Sequence, residues 1–225
     1  WVQPPTEKTY GWREDTDRIK GDIPGHIIKG TFMVTRTVNQ PEKYEKNPIM
    51  VKEKPWEGSG PFGSEVIYDK EEKIFKMWYT SFHLVSSKPP YRYYYLRHYA
   101  TSADGLNWNR PALGIEEYEG NKDTNILKAI SRSSVIFKDE ADEPSRRYKT
   151  AGTAGTKNGY ALKTFYSPNG VHWTEHPGPF DTARGDEVAS FMYDPVSKKY
   201  IVFTRNYYPR PHFEPRTTRY LSLIH

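Results

Sequence analysis

The 225-residue chain contains no cysteine, which excludes a disulfide framework, a thiolate zinc site, an iron–sulfur cluster and a thiol nucleophile. It leaves the compartment open, because a large extracellular β-domain needs no disulfide. Long apolar runs are missing as well. Nothing approaches the ~20 residues of a membrane helix, so no membrane partner is expected. Neither sign of charge dominates: 33 Lys and Arg face 28 Asp and Glu, for a net charge of +5. The basic clusters, Arg146-Arg147 with Lys149 and the stretch holding Arg205, Arg210, Arg216 and Arg219, interleave with Tyr and Phe. No nucleic-acid-binding motif accompanies them, and no nucleic acid partner is expected. A glycine-rich phosphate loop, a Gly-x-Ser-x-Gly elbow and a His/Asp cluster at ligand spacing are absent too, so neither metal nor cofactor is expected. Helical periodicity fills no 11-residue window convincingly.

What the chain does have is rings: 6 Trp, 18 Tyr and 10 Phe, too many core-forming side chains for a disordered polypeptide. They fall in short aromatic and β-branched runs bounded by Gly, Pro, Asn and Asp, and the class is all-β. The start, Trp1-Val2-Gln3-Pro4-Pro5, has neither Met nor a signal pattern and reads as a processed or trimmed end. Residues 1–60 are the least regular, with a strand expected at Ile27 to Val38, and read as an arm or closing strand packed on a later element.

From Ser64 onward two patterns repeat. The first is an apolar strand, a turn opened by Asp, and an aromatic-led strand: Val66-Ile67-Tyr68-Asp69 with Phe75 to Tyr79, Val135 to Asp139 with Tyr148 to Ala151, and Phe191-Met192-Tyr193-Asp194 with Tyr200 to Phe203. Each is a β-hairpin. The second pattern is Ser, then Asp or Asn with Gly, then Trp three residues on: Ser102-Ala103-Asp104-Gly105-Leu106-Asn107-Trp108 and Ser167-Pro168-Asn169-Gly170-Val171-His172-Trp173. It makes a third strand, a tight turn whose Gly accepts φ > 0, and a fourth strand anchored by Trp. The turn Asp recurs after 70 and then 55 residues. Four antiparallel strands at that spacing signal a β-propeller blade. Blades are expected at 64–110, 131–175 and 188–225, the last incomplete, within a propeller region of 61–225 that is cut short after about three blades. Asp69, Asp139, Asp194, Asp104 and Asn169 are read as turn formers. Trp108 and Trp173 are expected to pack between blades.

Ser102 to Trp108 with Arg110-Pro111, Ser167 to Trp173 and the Tyr-Asp hairpins resemble the five-bladed propeller glycoside hydrolases, the superfamily of families 32, 43, 68, 117 and 130. Phe75 to Tyr79, Asn47-Pro48 with Pro55-Trp56-Glu57, and Asn121 to Asn125 are similar to its uncharacterised secreted bacterial relatives. The resemblance covers roughly residues 45–225. It implies a secreted or periplasmic glycosidase acting on a poly- or oligosaccharide, with a central funnel lined by carboxylates from the innermost strands. One carboxyl protonates the leaving oxygen while another activates water or attacks the sugar. The best match is Gly185-Asp186-Glu187, with Glu187 or Asp186 as the acid. The same window in blade one offers Glu65, with Glu57 a little earlier. In blade two it is Ser131 to Ser134, with no carboxylate, and the nearest upstream acid is Asp123. Arg132 there suits a carboxylated or sulfated sugar, since a guanidinium binds oxyanions bidentately. Trp56, His83 and Arg205 complete the residues expected at the sugar. A non-catalytic carbohydrate-binding propeller is the alternative, favoured by the missing blade-two carboxylate.

Overall fold

The computed structural model describes residues 42–130, 133–156, 159–177, 185–206 and 218–224. The chain divides into two compact units, Trp1–Glu45 and Lys46–His225, and the described strands belong to the second. The strand expected at Ile27 to Val38 lies outside the described residues, as does Arg132.

The rings and β-branched residues form strands β1 (Phe62–Asp69), β2 (Ile74–Ser86), β3 (Arg92–Ser102), β4 (Ser133–Lys138) and β5 (Tyr148–Thr156). Then come β6 (Gly159–Ser167), β7 (Thr174–Glu175), β8 (Gly185–Asp194), β9 (Lys199–Asn206) and β10 (Thr218–Ile224). They make three antiparallel sheets in chain order, β1-β2-β3, β4-β5-β6-β7 and β8-β9-β10. Each sheet is a meander, the layout of a propeller blade, and the class is all-β. Among the described residues no helix is long and apolar enough to cross a membrane.

The turns repeat atom for atom. Asp69 Oδ1 accepts the N–H groups of Glu71 and Glu72 at 3.0 and 3.2 Å, Asp139 Oδ1 that of Ala141 at 3.0 Å, and Asp194 Oδ1 that of Val196 at 3.0 Å. Asp104 Oδ1 accepts from Leu106 and Asn107, as Asn169 Oδ1 does from Val171 and His172. The fourth strand does not repeat. In the second sheet it is the two residues of β7, whereas in the first the expected strand shrinks to one bridge between Thr101 and Asn109. Pro111 follows, with no N–H to extend the ladder, and Arg110 is drawn away to Glu57 and to the Val51 carbonyl.

Neighbouring sheets join at their Asp-turn ends through the same device. The Tyr148 hydroxyl donates to Asp69 Oδ2, and the Tyr200 hydroxyl donates to Asp139 Oδ2 at 2.5 Å. A lysine lies over each phenol ring, Lys76 at 4.9 Å from the Tyr148 centroid and Lys149 at 5.2 Å from that of Tyr200. These aspartates therefore do more than shape their own turns. Above each latch sits a core. Trp78, Tyr99, Ile130, Ile136 and Tyr148 fill the first seam, and Ala151, Leu162, Val188, Phe191 and Val202 the second. Trp78 Nε1 donates to the Gly170 carbonyl at 2.7 Å, and a Cβ on Gly170, whose φ is 80°, would strike the indole. Trp173 packs in this seam, but Trp108 lies on the other face of the first sheet against Met77, Tyr79 and Ala100. The two indoles nevertheless sit on corresponding faces of their sheets, since Met77 pairs with Ala100 as Thr150 pairs with Phe165.

Candidate functional site

The latches put the Asp turns of successive sheets at one end. The starts of β1, β4 and β8 and the β2–β3 hairpin tip consequently share the opposite end. At that end two carboxylates flank the first sheet, one on each face, Glu57 fully buried and Glu65 partly.

Glu57 closes a short 3-10 turn, Pro55–Glu57, and has no exposed surface. Its Oε1 accepts from the Tyr79 hydroxyl at 2.6 Å and Arg110 Nε at 2.7 Å, and its Oε2 from the N–H groups of Glu53 and Lys54 at 2.7 and 2.9 Å. Burial raises its pKa, but these four donors outweigh burial and hold it below the usual range. The network continues from Asn125 Nδ2 to the Tyr79 hydroxyl at 2.8 Å and from Trp56 Nε1 to Asn125 Oδ1 at 2.7 Å. Glu57 and Trp56 are thus framework residues where the sequence predicts ligand contacts: the carboxylate is saturated, and the indole, 5% exposed, packs with Leu96 and Ile126.

His83 belongs to the same framework. It is buried, with its Nε2 3.1 Å from the Trp56 carbonyl and 3.0 Å from Ser81 Oγ, and its ring stacks on Tyr94. Burial lowers its pKa. His98, which with His83 flanks the Tyr91 to Tyr95 run and could be read from sequence as lining a sugar site, shares Ser81 at 2.7 Å and stacks on Tyr79, while its buried Nδ1 has no hydrogen-bond partner. Burial drives it down to about 3, so it is neutral throughout the physiological range. Asp123 is exposed on a loop, one residue before buried Thr124.

Glu65 faces the second sheet. It stands opposite Trp78 on β2, and its Oε2 accepts from Arg97 of β3, which also donates to Thr80 Oγ1 at 2.7 Å. The glutamate side chain is 23% exposed and the arginine 3%. Burial pushes the Glu65 carboxyl up to about 7, outweighing the Arg97 charge that pulls it down. Burial also lowers the Arg97 guanidinium from its ordinary value.

The register makes this pair stand out. Glu65 pairs with Trp78 and Trp78 with Tyr99; in the second sheet Val135 pairs with Ala151 and Ala151 with Thr164. Glu65 and Arg97 therefore occupy the places of Val135 and Leu162, which pack in the second seam. In the third sheet the Glu65 place is Ser190, opposite Phe203. Arg97 escaped sequence reading because it lies 32 residues from Glu65; comparing the repeats column by column would have exposed it.

Asp186 and Glu187 lie at the start of β8, with Glu187 paired to Arg205 of β9. Their backbone is therefore at the same end as Glu65, and their side chains, with that of Arg205, lie outside the described residues. Among the described residues no group of three or more His, Asp or Glu side chains is arranged to hold a metal ion.

No family profile and no curated protein matches the chain. Among solved structures it is similar to the GH32 β-fructofuranosidase of Bombyx mori at 15% identity, covering 75% of this chain and 34% of that one, with a TM-score of 0.47. A mutant of the same enzyme in complex with sucrose gives 15%, 70%, 32% and 0.43. A fructofuranosidase variant from Schwanniomyces occidentalis complexed with fructosylnystose gives 15%, 75%, 34% and 0.37. The chain spans about a third of the length of each. A shared fold does not fix a reaction.

Proposed function

We propose that the chain is part of a propeller glycoside hydrolase and that Glu65 is its proton-carrying carboxyl. The observation that carries this reading is the Glu65–Arg97 pair standing where the second sheet has Val135 and Leu162. A half-buried ion pair is commonly no more stabilising than the apolar pair that fits the same space. Its retention at the open end of the sheet is better explained by chemistry than by folding. A carboxyl titrating at about 7 is still half protonated at neutral pH and can give that proton to a leaving oxygen. Arg97 keeps it from swinging away and stabilises the carboxylate left behind. In this reading Asp186 or Glu187, on the first strand of the third sheet, supplies the second carboxylate that glycoside cleavage requires. Glu65 then takes the acid role that sequence alone gives to that pair.

The test is release of reducing ends from a panel of poly- and oligosaccharides by the purified chain and by Glu65→Gln. Loss of a general acid costs ~10²-fold or more. Equal turnover by Glu65→Gln would overturn the assignment. A second reading, a glycan-binding propeller without catalysis, is favoured by Val135 in place of a second-sheet carboxylate. It predicts retention of glycan with no reducing ends released.

A further inference from the structure

Beside Glu65 the first sheet carries a group of rings with no role in its core. The β2–β3 hairpin is longer than its counterpart: β2 has 13 residues and β5 has 9. One of the four extra residues lies at the Asp-turn end, so at ~3.3 Å per residue the other three carry the tip about 10 Å further. Just inside that overshoot Phe82 pairs with Tyr95, and on it Leu84 pairs with Tyr93, on the strand face that holds Thr80 and Arg97. Phe62, at the start of β1, meets Tyr95 with ring centroids 6.2 Å apart. Phe82 lies 5.5 Å from Tyr95 and 5.4 Å from Tyr93, and Tyr93 lies 5.8 Å from Tyr95. The four rings thus form one continuous patch, with Tyr93 53% and Phe62 46% exposed. In the second sheet the Phe82–Tyr95 place is Gly155 paired with Tyr160. Like the Glu65–Arg97 pair, the patch belongs to the first sheet.

We propose that Phe62, Phe82, Tyr93 and Tyr95 are a stacking shelf for further sugar residues of a glycan chain whose reacting residue sits at Glu65. The C–H face of a sugar ring carries slightly positive hydrogens that meet the negative face of an aromatic ring, and the tyrosine hydroxyls reach the sugar's rim. Size argues against a protein partner. A fully buried aromatic covers ~150–250 Å², so four partly exposed rings offer on the order of 400 Å², about half of the ~800 Å² per partner in a stable complex. Two or three sugar rings fit that area. The shelf continues directly into the Thr80–Arg97–Glu65 group, so a chain lying along the hairpin would present its next residue to the carboxyl. This rests on the reading of Glu65 as a glycan site, and it makes the substrate an oligo- or polysaccharide instead of a single glycoside.

The experiment measures binding of inulin, arabinan and xylan oligomers of two to six residues to the full chain, by calorimetry, beside the Tyr93→Ala and Tyr93→Phe variants. Expected is an affinity that rises with oligomer length for one of these glycans, a loss of about tenfold or more for the longer oligomers in Tyr93→Ala, the scale of ~1.4 kcal/mol, and retention of the length dependence in Tyr93→Phe, which keeps the ring. Affinity independent of length, no binding to any of the three glycans, or unchanged binding in Tyr93→Ala would overturn the shelf. So would sedimentation as a dimer that Tyr93→Ala converts to monomer, which would make the patch an interface. Reducing-end release separates the two readings. Length-dependent binding without release keeps the shelf and discards hydrolysis, whereas release with length-independent affinity does the reverse.

Discussion

The two ends of the sheets obey different rules. At the Asp-turn end the first and second seams are near copies: a turn aspartate accepts from a tyrosine of the next sheet, and a lysine covers the phenol. At the opposite end the same columns diverge. Glu65, Arg97, Phe82 and the 13-residue β2 of the first sheet stand against Val135, Leu162, Gly155 and the 9-residue β5 of the second. What repeats is what holds one sheet to the next, and what does not repeat calls for an explanation outside folding. Charge follows the same division. The Asp69 carboxylate, with no exposed surface and bonded to Tyr148, Lys76 and Lys138, is held well below the usual carboxylate range despite its burial, while Glu65 is pushed up.

The largest effect is expected at the repeated end. Asp69→Ala takes the buried carboxylate from Lys76, Lys138 and Tyr148 and leaves the two lysines only their more exposed partners Glu72 and Glu71, and breaking a buried ion group costs about 3–5 kcal/mol. At ~2–4 °C per kcal/mol for a chain of this size, thermal unfolding should fall by about 10 °C. A fall of a degree or two would show that the latch is decorative.

Next in size are Tyr148→Phe and Tyr200→Phe, each removing one hydroxyl from a buried aspartate at a cost of about 1–3 kcal/mol. Calorimetric scans should show similar losses in the two seams. A loss confined to one of them would break the equivalence that the shared geometry implies.

The double variant Glu65→Val with Arg97→Leu copies the second sheet into the first. Its unfolding temperature should stay level or rise, because an apolar pair of fitting volume replaces a half-buried ion pair. Glycan turnover should vanish. A large loss of stability would make the pair a structural element and remove the ground for its chemical role.

Charge at the two groups is tested through pH dependence, in which they act in opposite senses. The folded pKa of Glu65 is above its ordinary ~4.3, so the contribution it makes is full below that value and is lost as pH rises through about 7. The folded pKa of His98 is below its ordinary ~6.5, so its contribution is present above that value and is lost as pH falls towards about 3. Denaturant unfolding of Glu65→Gln should accordingly lack the decline between pH ~4.5 and 7 that the parent shows. An identical profile in both proteins would place the Glu65 titration outside this range.

Sequence carried the scaffold well because its instructions are local. An aspartate that accepts N–H groups two and three residues on, or an Asn-Gly turn before Trp173, can be read in one window. The aspartates' second partners could not, since Asp69 meets Tyr148 only once two sheets are stacked. The same limit misled the reading of Pro55-Trp56-Glu57. Acid and indole side by side suggest a sugar contact, yet Tyr79, Arg110 and Asn125, from three distant segments, bond one Glu57 oxygen and the indole N–H, while the backbone of Glu53 and Lys54 takes the other oxygen. Glu65 was visible as an acid opening an inner strand. Its environment was not, because burial and the Arg97 partner depend on β3.

The central claim is that Glu65 is protonated near neutrality at the one end of the first sheet that does not follow the repeat. Its direct measurement is the carbon-13 shift of the Glu65 side-chain carboxyl followed through pH 3–9, assigned by its disappearance in Glu65→Gln. A midpoint at about 7 is predicted. A midpoint near the ordinary ~4.3 would make Glu65 a plain partner of Arg97 and contradict the account.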